Sequence, residues 1–467
     1  VNDRVVAGAR TAPWVVAVAI AILAVYAAAL DASFQFDDWN VIVDNPRVHG
    51  RAAWWASMPG IRPLLKLSYV ANWTLAGESL AARAFAMRVT NVAIHAANAG
   101  LVLWLARRWL AQWGLDAAHA HRAAVLAALL FALHPAQTEA VTYVSGRSVS
   151  LMATAMLLAL RAQVRATQAA TTVERRGWWL VAALLYVAAL AIKEHAWTLP
   201  LAAWLVARAA PGAATRDAWR ATTALWVVTA AALVAVFATP DYWRLLGHAL
   251  DTRPLGANLL TQIDGQWYLL VRVALALHTN LDPDLPVHAA WSGRLFAQAL
   301  VLAIAFGVAL AQWRRRRWLA VGAAWCAIHL AATNTVLPRL DVANDRQLYL
   351  ALAGLAWVVA VPLTARRDGA HDAMRTAVAV LLCVTLAAAT VRRNADYATE
   401  VTLWTATVRA SPGKARAWNN LGWALHTTGR VSDAARAYSR AIALDPEDPR
   451  PRINLQLVED GLPPSVR

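Results

Sequence analysis

Apolar and polar positions along this chain separate into whole segments rather than alternating residue by residue. The runs 13–30, 89–106, 123–141, 148–162, 178–194, 196–209, 221–239, 295–313, 318–334, 348–364 and 375–391 are predominantly apolar. Several reach the ~18 residues that mark a membrane-crossing helix. The pattern predicts an all-α, polytopic helical membrane protein of about eleven spans. Segment 258–279 breaks the pattern, because it carries Gln262, Asp264, Gln266, Arg272 and His278. It is expected as an amphipathic or re-entrant helix at one face. The first run lacks a small-residue cleavage site and is expected to be retained. Past Arg393 the composition becomes that of a soluble chain, which divides a membrane domain, 1–393, from a C-terminal module, 394–467.

Composition agrees: 59% of the 467 residues are hydrophobic, and the mean hydropathy is +0.42. A formal charge of +16 would suit nucleic acid, but its distribution points elsewhere. Basic residues gather where alternate runs end: Arg4 and Arg10, Arg107 and Arg108, Arg161 to Arg176, Arg208 to Arg220, Arg314 to Arg317, and Arg366 with Arg367. The positive-inside rule assigns these loops to the cytoplasm, with the N-terminus inside and the C-terminal module outside. The other loops then face out, and they hold Asp37, Asp38, Asp282, Asp284, Asp341 and Asp345. The partners implied are the lipid bilayer and ligands at the outer face, not nucleic acid. Of the 24 tryptophans most are expected in interfacial belts, while Trp39 in the first outer loop could stack on a sugar. Cys326 and Cys383 read as apolar fillers.

The adjacent carboxylates Asp37 and Asp38 follow the first span directly, in an outer loop of roughly 31–88 that is too long for a plain connection. Carboxylates at a membrane face cost free energy unless solvated or used. Arg62 and Lys66 lie on one face of a helical pattern in the same loop, suited either to lipid headgroups or to a phosphate near the acids. The turn 134–147 contributes His134, Glu139 and Arg147, with Pro135 expected to break the helix and Gly146 to free the turn. Lys193, one of only three lysines, is a compact charge suited to phosphate; an ion pair with Glu194 is the plainer role. Arg346, at the mouth of the tenth span with Tyr349, can fork onto a phosphate or pair with Asp345. No cofactor is expected, and a divalent metal on Asp37 and Asp38 stays an open alternative without an evident third ligand.

Residues 415–448 carry Trp418, Leu421, Gly422, Ala434, Tyr438, Ala441 and Pro446 at the offsets of a tetratricopeptide repeat. A degenerate half-repeat precedes it (Trp404, Pro412) and 449–460 suits a capping helix. Repeat grooves bind peptides, which makes Trp418, Asn419, Leu421 and Tyr438 the candidate partner-binding positions. So short an array is expected to dock on the membrane domain.

Taken in order, Phe36-Asp37-Asp38, Arg62-Pro63-Leu64, Ser68-Tyr69, Asn91 with His95, His134-Pro135, Glu139, Gly146-Arg147, Lys193-Glu194, Arg346 with Tyr349 and the terminal repeat resemble the transmembrane and tetratricopeptide-repeat-containing proteins. That family is similar to the protein O-mannosyltransferases of the multi-span glycosyltransferase C class. The resemblance implies a polyprenyl-phosphate sugar donor, an acceptor Ser or Thr hydroxyl, and Asp37 as base, with Asp38 orienting a cation or the sugar. On physical grounds Lys193, Arg346, Arg147 and Arg62 are the candidates to stabilise the donor phosphate, and His134, Glu139, Glu194, Tyr349 and Trp39 the candidate substrate contacts. The arginine- and alanine-rich composition suits a bacterial inner membrane with a periplasmic site. A glycolipid or envelope-polysaccharide acceptor, or a non-enzymatic flippase or scaffold, remain alternatives on these residues.

Overall fold

The computed structural model describes residues 11–58, 60–238, 240–276, 280–333, 338–366 and 370–464; Arg4, Arg10, His278 and Arg367 lie outside them. Pro13 opens the first helix in the one turn where a missing N–H costs nothing. In chain order the helices are α1 (Ala12–Tyr26), α2 (Arg51–Ala56), α3 (Pro63–Leu75), α4 (Leu80–Gln112), α5 (Ala117–Leu133), α6 (Thr138–Val141), α7 (Arg147–Gln168) and α8 (Thr172–Ile192). They continue as α9 (Leu199–Arg208), α10 (Thr215–Phe237), α11 (Pro240–Thr252), α12 (Leu255–Ala274), α13 (Gly293–Ala311), α14 (Arg317–Ala331), α15 (Leu348–Thr364) and α16 (Ala370–Asp396). The C-terminal module is α17 (Glu400–Ala410), α18 (Ala415–Thr427), α19 (Val431–Leu444) and α20 (Pro449–Glu459). The expected all-helical membrane architecture with a terminal repeat is what forms.

Among the described residues eight helices are long and apolar enough to cross a membrane, or nine with a bent pair, against the eleven expected. The difference lies mainly in two runs. Run 196–209 becomes a 3-10 turn and the 10-residue α9, and run 318–334 becomes the 15-residue α14. At 1.5 Å per residue both fall short of a ~30 Å hydrocarbon core. The bent pair is Ala117–Leu133 with Pro135–Val141, turned by 55° where Pro135 interrupts the ladder. Helix α4 begins at Leu80, where the Ser79 hydroxyl accepts from Ala82 N, so the first loop ends at 79 rather than 88.

Burial sorts the helices into layers. In α7 and α15 most of the apolar window is covered (67% and 61%), whereas α10 and α13 keep all but 11% and 17% open, as lipid-facing helices do. Trp109, Trp325 and Trp357 are buried together with ring centroids 5.8–6.1 Å apart, so these tryptophans fill the core instead of joining a belt. Helix α12 buries a polar face, with Asp264 held by Arg294 (2.8 Å), Gln298 (2.9 Å) and His288 (3.3 Å). In the repeat, Gly422 lets α18 approach α19: a Cβ there would come 2.6 Å from the Tyr438 ring. The module packs against the end of the bundle that carries loop 31–79, through Gln35, Phe36, Asp282 and Asp341.

Candidate functional site

The two acids beyond α1 take different environments. Phe36, just before them, has φ 45°, a left-handed backbone that L residues with side chains rarely adopt. The two carboxylates that follow it have different surroundings. Asp38 is fully buried and accepts from the backbone N–H of Gln35 (3.1 Å) and of Ser145 (2.8 Å). Burial raises its carboxyl to about 6, against the pull of Arg88 and of these hydrogen bonds. Burial, not the neighbouring Asp37, is the leading cause. Asp37 is bound to the scaffold by its main chain, whose N–H donates to the Tyr143 hydroxyl at 2.9 Å. Asp37 lines a small cleft with Glu139, Tyr143, Asp341 and Arg346 of the bundle and Trp404 and Arg416 of the module.

A second cleft adjoins the first through Arg346. Lys193, His195, Arg339 and Arg346 line it, with Val149, Met152 and Leu350 supplying apolar wall. Arg346 borders both clefts. Its Nε lies 3.3 Å from Glu139 Oε1, its backbone N–H donates to Glu139 Oε2 (3.2 Å), and its Nη2 is 4.0 Å from Asp341. The plainer role for Arg346, a pair with Asp345, is replaced by Glu139. Lys193 Nζ donates to Ser148 Oγ at 3.3 Å. Glu194 instead forms a bidentate pair with Arg62 at 2.9 and 2.7 Å, which ties loop 31–79 to the end of α8.

The other expected site residues are placed elsewhere. Arg147 lines neither cleft: its guanidinium donates to Asn91 Oδ1 (2.6 Å), Ser68 O (3.0 Å) and Met87 O (2.9 Å), so the protein itself occupies it. His134 Nδ1 caps the following turn by accepting from Ala136 N, and its Nε2 faces Val273 O. Tyr349 is buried on His95 (2.8 Å) and Asn98 (3.0 Å) inside the bundle. Trp39 opens a π-helical turn, Trp39–Val43, and borders neither cleft. Gly146 has φ −61°, so it is not there for turn freedom; a Cβ would run into the Glu139 carbonyl and sit 3.0 Å from Ala140 Cα. Its smallness lets the Glu139 turn pack. In the module Asn419, Leu421 and Tyr438 are buried in repeat packing, Asn419 accepting from Asn454, while Trp418 donates to Pro412 O.

Several residues came into the site unheralded. Arg88, on α4, donates to Thr142 O and to the carbonyls of Ala32 and Ser33 beneath Asp38. Arg416 pairs with Asp282 (2.8 Å) and Asp341, and Lys414 stands 3.7 Å from Asp282. Burial alone would raise Asp341, but Arg416, Arg346 and Lys414 together hold the carboxyl below its ordinary value. Asp282 goes the other way, raised by burial despite Arg416 and Lys414. Among the described residues no group of three or more His, Cys, Asp or Glu is arranged to hold a metal ion.

Fold and site together define a multi-span helical membrane protein whose repeat module forms part of a charged double cleft. The tetratricopeptide repeat model matches residues 388–449. The chain is similar to Protein O-mannosyl-transferase F38B6.6 of Caenorhabditis elegans, 23% identical over 90% of this chain and 61% of that one. It is likewise similar to Protein O-mannosyl-transferase TMTC3 of Mus musculus, 23% identical over 91% of this chain and 50% of the relative. A Drosophila melanogaster protein O-mannosyl-transferase, Tmtc3, is 29% identical over 27% of this chain and 14% of its own length. The resemblance drawn from the motifs therefore stands, and the chain spans between one half and about three-fifths of the length of the two relatives it matches nearly end to end. No solved structure matches it.

Proposed function

We propose that this chain is a glycosyltransferase of the C class that moves a hexose such as mannose from a polyprenyl phosphate to a Ser or Thr hydroxyl of a protein. The observation that carries this reading is Arg346, shared by a cleft that is cationic and apolar and a cleft that holds Asp37. A lipid phosphate needs the first environment: cations for the head and apolar wall for the first isoprene unit. An acceptor hydroxyl needs the second. The acceptor oxygen attacks the anomeric carbon from the side opposite the phosphate, the C–O bond to phosphate breaks, and Asp37 takes the hydroxyl proton. Base assistance of this kind contributes ~10²–10⁴-fold. Lys193, Arg346, Arg339 and His195 stabilise the departing phosphate, while Glu139 fixes Arg346 at the junction. Asp38, with its oxygens engaged by backbone N–H groups, shapes the loop instead of acting as base.

A protein acceptor is favoured over a glycolipid because Trp404 and Arg416, both in the repeat module, line the Asp37 cleft. The arginine distribution supports a bacterial inner membrane with the N-terminus cytoplasmic and the module periplasmic. The test is transfer of labelled mannose from polyprenyl-phosphate mannose to a Ser/Thr peptide by the full chain in liposomes. Transfer lost in Asp37→Asn is the expected result; no transfer by the wild-type chain overturns the reading.

A further inference from the structure

The module's first helix does more than border the acid cleft. Phe36 N–H donates to Glu400 Oε1 at 2.6 Å, and the Phe36 ring meets Trp404 edge-on with centroids 5.0 Å apart. Ser33 N–H donates to Ala398 O (3.3 Å) and Gln35 Nε2 donates to Tyr397 O. Residues 33–36 are thus strapped across the junction between α16 and α17. Phe36 occupies its left-handed conformation at the point where the strap meets α17, one residue before Asp37. A non-glycine residue held there is strained and persists only where its surroundings over-determine it. Here both its N–H and its ring are held by the module.

We infer that Glu400 and Trp404 are positioning residues: acting through Phe36, they aim the Asp37 carboxylate into the cleft. This deepens the transferase reading and rests on it for its kinetic consequence. The repeat module is then part of the active site as well as a wall of the acceptor cleft. Truncation of 394–467 would release the Asp37 loop whatever the acceptor, so that deletion cannot by itself tell a protein acceptor from a lipid one.

The experiment uses the full chain and the variants Glu400→Gln, Glu400→Ala, Trp404→Phe and Trp404→Ala. Hydrogen exchange is followed at residues 33–38, with α18 and α19 as the folding control. Transfer from polyprenyl-phosphate mannose to a Ser/Thr peptide is measured in parallel. The expected result is at least tenfold faster exchange at 33–38 in both alanine variants, with α18 and α19 unchanged. Turnover falls at least tenfold at an unchanged KM for the donor, and Glu400→Gln, which keeps an oxygen for the Phe36 N–H, recovers most of it. Wild-type protection at 33–38 in both alanine variants overturns the inference, as does full turnover in them or a loss that Glu400→Gln shares equally. If the wild-type chain transfers nothing, the transferase reading fails, and the exchange arm still decides whether the strap is held by the module.

Discussion

Glu139 and Arg346 meet twice, once through a 3.3 Å ion pair and once through the Arg346 backbone N–H at 3.2 Å. The double contact fixes both the charge and the main chain of the one residue, among those described, that borders both clefts. A guanidinium oriented in this way can present its remaining N–H groups to a phosphate without moving.

Arg346→Lys is therefore expected to weaken donor binding more than turnover. A lysine keeps the charge but loses the planar fork, so KM for polyprenyl-phosphate mannose should rise about 10–100-fold, the equivalent of about 1.4–3 kcal/mol. Donor titration of the transfer rate checks this; an unchanged KM would remove Arg346 from the phosphate site.

Gly146→Ala is expected to disable the site without touching any charged group. The added methyl runs into the Glu139 carbonyl, so the turn carrying Glu139 must shift. Turnover should fall by at least ~10-fold, since misplacements of this order have such effects. Transfer kinetics and a melting curve measured together separate a displaced turn from an unfolded one.

Asp38 carries a pH signature. Its carboxyl is raised by burial to about 6 in the folded chain, against 3.8 when free. A raised acid favours the protonated folded state, so this contribution is intact below about pH 4 and is lost as pH rises through about 6. The loss amounts to about 3 kcal/mol. Asp38→Asn should flatten the pH dependence of unfolding across that window. Below about pH 4, where that contribution is intact, it should also lower stability by about 1–3 kcal/mol, because an amide offers one acceptor oxygen to two backbone N–H donors.

Arg416→Ala should loosen the module. It leaves Asp282, only 3% exposed at its side chain, with Lys414 at 3.7 Å as its remaining charge partner. Stranding a buried charge costs about 3–5 kcal/mol. Faster proteolysis in the 411–414 turn, with the bundle intact, is the expected readout.

The helical plan and the repeat were legible because hydrophobic periodicity and repeat offsets are local properties. Lys193, Arg346, Glu139 and Asp37 could be nominated as unusual charges at span ends, and the structure brings them to adjoining clefts. Arg147, His134 and Tyr349 carry equally suggestive side chains in equally suggestive places. Each is turned instead toward a buried acceptor or donor, and rotation about a helix axis cannot be read from spacing. Arg62 with Glu194, and Arg416 with Asp282, are pairs made across more than a hundred residues of sequence, so only the folded chain reveals them. Arg88 is not legible because the apolar run begins only at 89, whereas the helix starts at Leu80 and carries Arg88 inside its 33 residues, where its charge acts on Asp38.

The most direct measurement is the transfer rate of Asp37→Asn beside that of Asp38→Asn, in the full chain with polyprenyl-phosphate mannose and a Ser/Thr peptide. The account predicts that Asp37→Asn loses at least ~100-fold in turnover while its melting temperature and donor KM stay at wild-type values, and that Asp38→Asn loses less turnover than Asp37→Asn. A wild-type rate in Asp37→Asn would contradict it.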